Sequence, residues 1–532
     1  MAPTLPPKPR TRYAGAVSAE YVDDVPYVRH FVAELSPARI RLAAALNGIA
    51  PPPADDFDYC ELGCAQADTL CALAAAHPRA RFLGIDLSAL HIAAAKRLAR
   101  DGALENIGFL ERDFANLDEE DIGEFDFIVA HGVLSWVSAE KRHRLIELAR
   151  RKLKPGGLLY VSYNAMPGWA GVEPLRQLLL APTAGEPASS LDRAKLGLQF
   201  AQAMERAGAE YFLRNPSAKD MLVTMERGGL PYVVHEYLHE HWVPMYFARI
   251  ALEMAERELH FVGVLPLFLN FRDTAIPLPL VPMFEPIRDR VRFESLKDFA
   301  LNEFFRRDVY VNGPVTRSAE ATNAYLEGTA WGMLASAPPD DRTVRFRDRV
   351  LDFSGSPYDA ILDSLAEGAT TIGALAETRA LASVGIEQLR AAIFKLAVGE
   401  AILPMMRSTR LVAAHGDDSY RVASPYNQML LRRLTADTPL VMIAPICGTA
   451  FPLSALDALA LRVLTEVPQW DRARWIRDLT ARSVLRLRVG ERMIEDPEAQ
   501  VKAITTAVEQ LVKLRLPKLL ELGVLARGSF AP

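Results

Sequence analysis

The chain has 532 residues, 50% of them hydrophobic and 24% charged, which is an ordinary soluble composition too long for one core and predicts about two to four domains. A formal net charge of −5 and a pI near 6.1 create no general field for a polyanion. That speaks against nucleic acid and anionic membrane as main partners.

Residues 1–15 are proline-rich and mildly basic, without the apolar core of a signal peptide. They read as part of a loose tail over 1–19 in a cytoplasmic protein. The longest uncharged stretch, 438–456, approaches membrane length but contains Pro439, Pro445, Gly448 and Pro452. It reads as buried loop and strand, with no membrane insertion. Cys60, Cys64, Cys71 and Cys447 form no CxxC pair and no zinc spacing, so they read as reduced and buried, with no metal site.

In chain order, apolar residues recur at helical spacing over 36–47 and stop at Pro51-Pro52-Pro53. Strands at 57–62, 81–85, 107–110, 125–130 and 158–163 then alternate with helices at 68–76, 90–100 and 139–153. This alternation predicts an α/β domain, a Rossmann-like parallel sheet covered on both faces. After Trp169 the pattern is helical to about 227. A strand at 232–238, a helix at 246–258 and a strand at 260–265 then complete the sheet. The domain is expected over 20–275, with a helical insertion at about 170–230 that would cap the carboxyl edge. A proline-rich linker at 277–286 opens a middle segment, 276–350. Helices dominate 351–532, and a helix followed by a strand over 386–405 suggests a mainly α, winged-helix-like region, with DNA contact less expected than protein contact or a homodimer.

The informative segment is Tyr59-Cys60-Glu61-Leu62-Gly63-Cys64-Ala65-Gln66-Ala67-Asp68, a strand turning into a helix through small residues. Small residues let a ligand approach the backbone, and the helix N-terminus offers N–H groups to a carboxylate. Asp86 ends the second strand, where an acid can accept both ribose hydroxyls. Asp113 follows the third strand, where a carboxylate can accept an adenine amine. Either acid alone could equally be a helix cap; their placement after successive strands favours a nucleoside site flanked by Leu87 and Phe114. A nicotinamide dinucleotide would need GxGxxG, whereas this loop reads Gly63-x-Ala65-x-Ala67-Asp68. S-adenosylmethionine has no phosphate and suits the loop better.

Glu61-Leu62-Gly63-Cys64, Gly84-Ile85-Asp86-Leu87-Ser88, the run from Phe125 to Val137, and Leu153-Lys154-Pro155-Gly156-Gly157 resemble successive motifs of class I methyltransferases. The run from Val161 to Trp169 and His235-Glu236-Tyr237-Leu238 narrow the resemblance to bacterial methyltransferases with a methyltransferase regulatory domain, the group that includes rickettsial outer-membrane-protein lysine methyltransferases. The resemblance is specific over about 20–270 and weaker through Phe305-Arg306-Arg307-Asp308-Val309-Tyr310. It implies S-adenosylmethionine as cofactor, S-adenosylhomocysteine as product and a protein lysine as acceptor. A small-molecule acceptor and a scaffold without turnover stay open, the latter because Ala65 and Ala67 replace the family's glycines.

Methyl transfer from a sulfonium is an in-line displacement, so the protein chiefly aligns a deprotonated nucleophile. Candidates at the ends of the fourth and fifth strands are His131, also expected to touch the cofactor, Tyr163 and Asn164. His131 is read as a base or orienting group and Asn164 as a hydrogen-bonding hold on an amine, or else both serve only local structure. Trp136 and Trp169 would wall a cation site or pack in a core. His235 and Glu236, adjacent on the expected strand, would point to opposite faces.

Overall fold

The expected alternation builds β1 (Asp58–Leu62), β2 (Arg81–Asp86), β3 (Ile107–Glu111), β4 (Phe125–Ala130) and β5 (Leu153–Asn164) as neighbouring parallel strands. The structure, a computed structural model, describes residue 25 and residues 30–117, 122–184, 188–335, 342–414, 418–434, 440–482, 487–489 and 492–528. The expected tail at 1–19 lies outside the described residues. With β6 (Leu259–Val264) and β7 (Phe305–Asn312) the sheet has the order β3-β2-β1-β4-β5-β7-β6. β7 runs antiparallel to both neighbours. This is the α/β architecture implied by the methyltransferase resemblance. Every residue of β4 is buried, as expected for the centre of a sheet covered on both faces.

Helix α1 (Pro37–Leu46) precedes the sheet, and α2 (Asp68–Ala76), α3 (Ala89–Asp101) and α4 (Ala139–Lys152) connect its strands. α2 is apolar almost all round and buries Thr69 to Ala74 as well as Ala76. Such a helix needs cover on more than one side. The cover includes the antiparallel hairpin of Leu440–Ala444 and Thr449–Leu453, where the uncharged stretch now lies from residue 440 onward. His77 Nε2 lies 2.8 Å from the Gly448 carbonyl, and the Ser36 hydroxyl donates to the same oxygen at 3.2 Å. No described helix is long and apolar enough to cross a membrane.

The chain divides into two units. The larger comprises Arg29–Leu134, Ala139–Gly168 and Met245–Pro532, the smaller Met1–Val28, Ser135–Ser138 and Trp169–Pro244. The smaller unit is helical where described, with α5 (Glu173–Leu180), α6 (Ser190–Arg206), α7 (Glu210–Arg214) and α8 (Pro216–Tyr237). The strand expected at 232–238 is instead the last part of α8. Gly229, at φ +78°, interrupts the helix, and Pro231 stands in the first turn after the break. The short apolar run Tyr232-Val233-Val234 fits a buried helix face as well as a strand, and periodicity over so few residues does not separate them.

The sheet also extends past the expected boundary at 275. In the larger unit α9 (Phe247–Ala255) precedes β6, and β7 comes from the segment assigned to a middle region. Its Arg306 and Asp308 are buried and paired, so the apolar pattern of a central strand is missing from the sequence. The presumed linker holds short helices at Leu278–Leu280 and Val281–Phe284 followed by the helix Arg290–Leu301. Ile276, Phe284 and Phe293 form a small core of their own there.

Beyond the sheet, Leu403–Met405 pairs antiparallel with Ala330–Gly332, and Tyr420–Val422 with Leu525–Arg527. Each pair joins segments far apart in sequence, with helices between them.

Candidate active site

β1 delivers Glu61 to the carboxyl edge of the sheet, and Gly63, Ala65 and Ala67 turn the chain into α2 with φ of +76°, +47° and +59°. Only glycine enters this left-handed region without a steric penalty. The loop therefore keeps a glycine-type path although two of its three such positions are alanine. Gly63 is needed for a second reason: a Cβ there would lie 2.8 Å from Val133 Cγ2. Beneath the loop, a Cβ on Gly84 would meet Cys64 Sγ, Leu70 and Phe109 at 2.9 Å each. Cys64 is buried, and burial pushes its thiol well above the usual range, so its role is packing.

Asp86 holds the loop in place. One carboxylate oxygen accepts the Ala65 amide at 2.8 Å; the other accepts the Ser88 amide at 2.9 Å and lies 3.3 Å from His91 Nδ1. The first oxygen keeps acceptor capacity for a hydroxyl. Leu87 is exposed beside it. Asp113 caps the short turn Phe114–Asn116 through the Ala115 amide and pairs with Lys141 at 3.0 Å. The capping role left open for Asp113 is thus filled, with Phe114 half-buried at the start of the turn.

Glu61 is 6% exposed, and its Oε2 has no hydrogen-bond partner among the described residues. Burial, and then the charge of Asp86, lifts its pKa to about 8. The Asp86 carboxylate disfavours a pyrophosphate at this small-residue loop, and a cation placed beside Glu61 would favour release of its proton. The residues present therefore fit S-adenosylmethionine, whose sulfonium and amino groups are positive, better than a dinucleotide. Glu61 would face the positive end, Asp86 the ribose and Gly63 the close backbone approach.

Glu61 also makes stability depend on pH. Between 4.5, the ordinary carboxylate value, and about 8 the folded chain holds a proton that the unfolded chain has released. Stability contributed by this proton is therefore lost as pH rises through that window. Glu61→Gln, uncharged at every pH, is expected to raise the melting temperature by about 2–6 °C at pH 8.5 and by little at pH 5. Thermal melts of both proteins across pH check this, and equal shifts at the two ends would contradict it.

At the end of β4, His131 Nδ1 lies 3.0 Å from the Ser162 hydroxyl and 3.1 Å from the Tyr160 hydroxyl, and the imidazole stacks on the Tyr160 ring. The Ser162 oxygen also accepts the Gly132 amide at 2.8 Å. Burial, followed by His30 and Arg307, lowers the His131 pKa to about 3. At neutral pH the ring is uncharged and a poor proton acceptor, which favours an orienting role over that of a base.

Asn164, two residues past Ser162 on β5, is buried, and its carbonyl accepts the Met245 amide at 2.9 Å. Tyr163 is not grouped with them. Successive strand residues face opposite sides, and Tyr163 donates to Asp308 at 2.6 Å. There it joins Arg306, which also pairs with Asp298 at 2.5 Å and Glu294 at 2.9 Å. The structure therefore makes Tyr163 part of a buried ion cluster.

The other expected site residues belong to the helical unit. Trp169 packs edge-on to Trp242 at 4.9 Å and beside Tyr237, as a core residue does. Trp136 Nε1 donates to the Glu236 carbonyl at 3.4 Å. His235 Nε2 lies 2.8 Å from the Val25 carbonyl. His235 and Glu236 are consecutive on α8, about 100° apart around a helix rather than on opposite faces of a strand. Sequence reasoning missed Ser162, Tyr160 and Arg307. The first two alternate on β5 with period two, a legible signal; Arg307 comes from β7, whose place in the sheet was not.

Residues 60–159 match a family model for a methyltransferase domain, and residues 230–312 one for a predicted methyltransferase regulatory domain. The second match contains β6 and β7, so this region supplies the last two strands of the sheet. The uncharacterized protein sll1526 of Synechocystis sp. is 26% identical over 95% of this chain and 99% of its own length. The uncharacterized protein RP028 of Rickettsia prowazekii is 31% identical over 44% of this chain and 94% of its own. Among solved structures, PKMT2 from Rickettsia typhi in complex with AdoHcy aligns with a TM-score of 0.72 at 20% identity, covering 94% of this chain and 100% of that one. That likeness is one of fold.

Proposed function

We propose that this chain, which belongs to the class I S-adenosylmethionine-dependent methyltransferases with a methyltransferase regulatory domain, methylates a protein side chain, a lysine amine in the first instance. The observation that carries the reading is the extent of the likeness to the rickettsial PKMT2, which covers 94% of this chain. Residues 313–532 lie beyond the last strand of the sheet and include a second apolar core. Such an accessory region offers a protein-sized contact surface, far more than a metabolite needs.

The bound cofactor supplies a methyl group on a sulfonium, open to in-line attack. Asp86 and Glu61 hold the cofactor, and the neutral His131, fixed between Ser162 and Tyr160, orients groups at the strand ends. Asn164 is proposed to hold the acceptor nitrogen by hydrogen bonding. With His131 depressed to about pKa 3, the acceptor proton leaves to water. The rate should therefore rise about tenfold per pH unit until the amine is deprotonated, with no break near the ordinary histidine value.

Incubation with labelled cofactor and a fractionated bacterial extract tests both points. Label in the protein fraction, absent with Asp86→Ala and rising with pH as described, supports the reading. Label confined to small molecules overturns the protein acceptor, and a break between pH 6 and 7 lost in His131→Asn overturns the role given to His131.

A further inference from the structure

Away from the cofactor loop, the segment after β6 and the start of the helix Arg290–Leu301 line an open pocket of about 260 Å³. Its lining includes Asn270, Arg272, Asp273, Arg288, Arg290 and Phe293. Three guanidinium groups thus meet a single carboxylate, Asp273.

Backbone carbonyls and one carboxylate hold two of the arginines in place. Arg272 donates to the Ile287 carbonyl at 2.9 Å and has no ion pair among the described residues. Arg290 donates to the Asn270 carbonyl at 2.9 Å. Its one acidic partner is Glu294 at 3.1 Å, whose carboxylate also serves Lys297 and Arg306. Both guanidinium groups lie 5.6 Å from the Phe293 ring centroid, so the ring fixes their positions. Asn270 is itself locked, its amide donating to the Val264 and Leu267 carbonyls while its oxygen accepts the Val264 amide. Arg288 is exposed at the rim and has no hydrogen bond or ion pair among the described residues.

A fourth guanidinium, that of Arg317, feels the charge of Arg290. Burial, and then the charge of Arg290, lowers the neighbouring Arg317 to about 10. Fixed guanidinium groups with spare donors and too few carboxylates match the charge and the many acceptor oxygens of a phosphate.

We propose that this cavity is an oxyanion site for a small phosphorylated molecule, separate from the cofactor site. Arg272 and Arg290 form the preorganised floor, and Arg288 closes on the ligand from the rim. The volume holds a phosphoryl group with a small organic body. The arginines lie over the Phe293 ring, and recognition is by charge and hydrogen bonding.

Calorimetric titration of the full chain with inorganic phosphate and with glycerol phosphate, at ionic strength fixed with chloride, tests this. Saturable binding is expected for both probes. Arg288→Ala, which removes an exposed side chain without a partner, should weaken it about fivefold or more, and Arg272→Gln should do the same. S-adenosylhomocysteine binding by the same variants should be unchanged, which shows that they are folded. Absence of saturable phosphate binding, binding untouched in both variants, or selective binding of an acidic peptide in place of the phosphates would each overturn the proposal.

Discussion

Replacing Arg306 with leucine is expected to cost about 3–5 kcal/mol, the largest stability loss from any single change outside the hydrophobic cores. Arg306 is 1% exposed and contacts Asp298, Asp308 and Glu294 while its guanidinium lies 4.1 Å from the Phe247 ring centroid. Without it, Asp308 keeps the Tyr163 hydroxyl but loses its counter-ion. Burial already raises Asp308 against the pull of Arg306 and lifts Asp298 to about 7. Glu294 differs: Lys297, Arg290 and Arg306 outweigh its burial and hold it at about 2. The leucine variant should melt about 3–5 °C lower. Adding Asp308→Asn should recover part of the loss, because it removes a charge left without its counter-ion. Thermal and urea melts of the single and double variants measure this, and additive losses would show that the pair is not coupled.

Asp86→Ala is expected to weaken S-adenosylhomocysteine binding about 100-fold or more, the largest effect on function. The carboxylate has two tasks. It anchors the loop after β1 through the Ala65 and Ser88 amides, and it is proposed to accept a ribose hydroxyl. Hydrogen bonds to a charged group are worth about 1.5–3 kcal/mol each, so losing the ribose contact and the loop anchor together reaches that factor. Asp86→Asn, which keeps the shape and one acceptor oxygen, should lose less. Titration calorimetry separates the variants, and circular dichroism confirms that they fold. An Asp86→Ala protein that binds as tightly as wild type would move the ribose site elsewhere.

Much of the sheet was legible from residue order. The strands from Asp58 to Asn164 are separated by helices and connected locally, so each has its own apolar run and its own turn residues. The turn after β1 was legible for the same reason: Glu61 and Asp86 stand at the ends of β1 and β2, and Gly63 follows β1 directly. The glycine-type path at Ala65 and Ala67 was not, because identity alone does not reveal a backbone that neighbours such as Asp86 hold in place.

What the sequence by itself determined was the class of fold, the positions of β1 to β5 and the acids at their ends, because those features rest on periodicity and spacing along one stretch of chain. Only the tertiary structure decided that β7 closes the sheet, that Tyr163 serves an ion cluster, that the run after Pro231 is helical and that His131 is neutral. The clearest cases depend on partners far away in sequence: Tyr163 donates to Asp308 on β7, and His131 feels His30 and Arg307. A buried charge reads as polar surface until its counter-ions are in place, and a histidine's proton affinity is set by the burial and charges that folding brings around it.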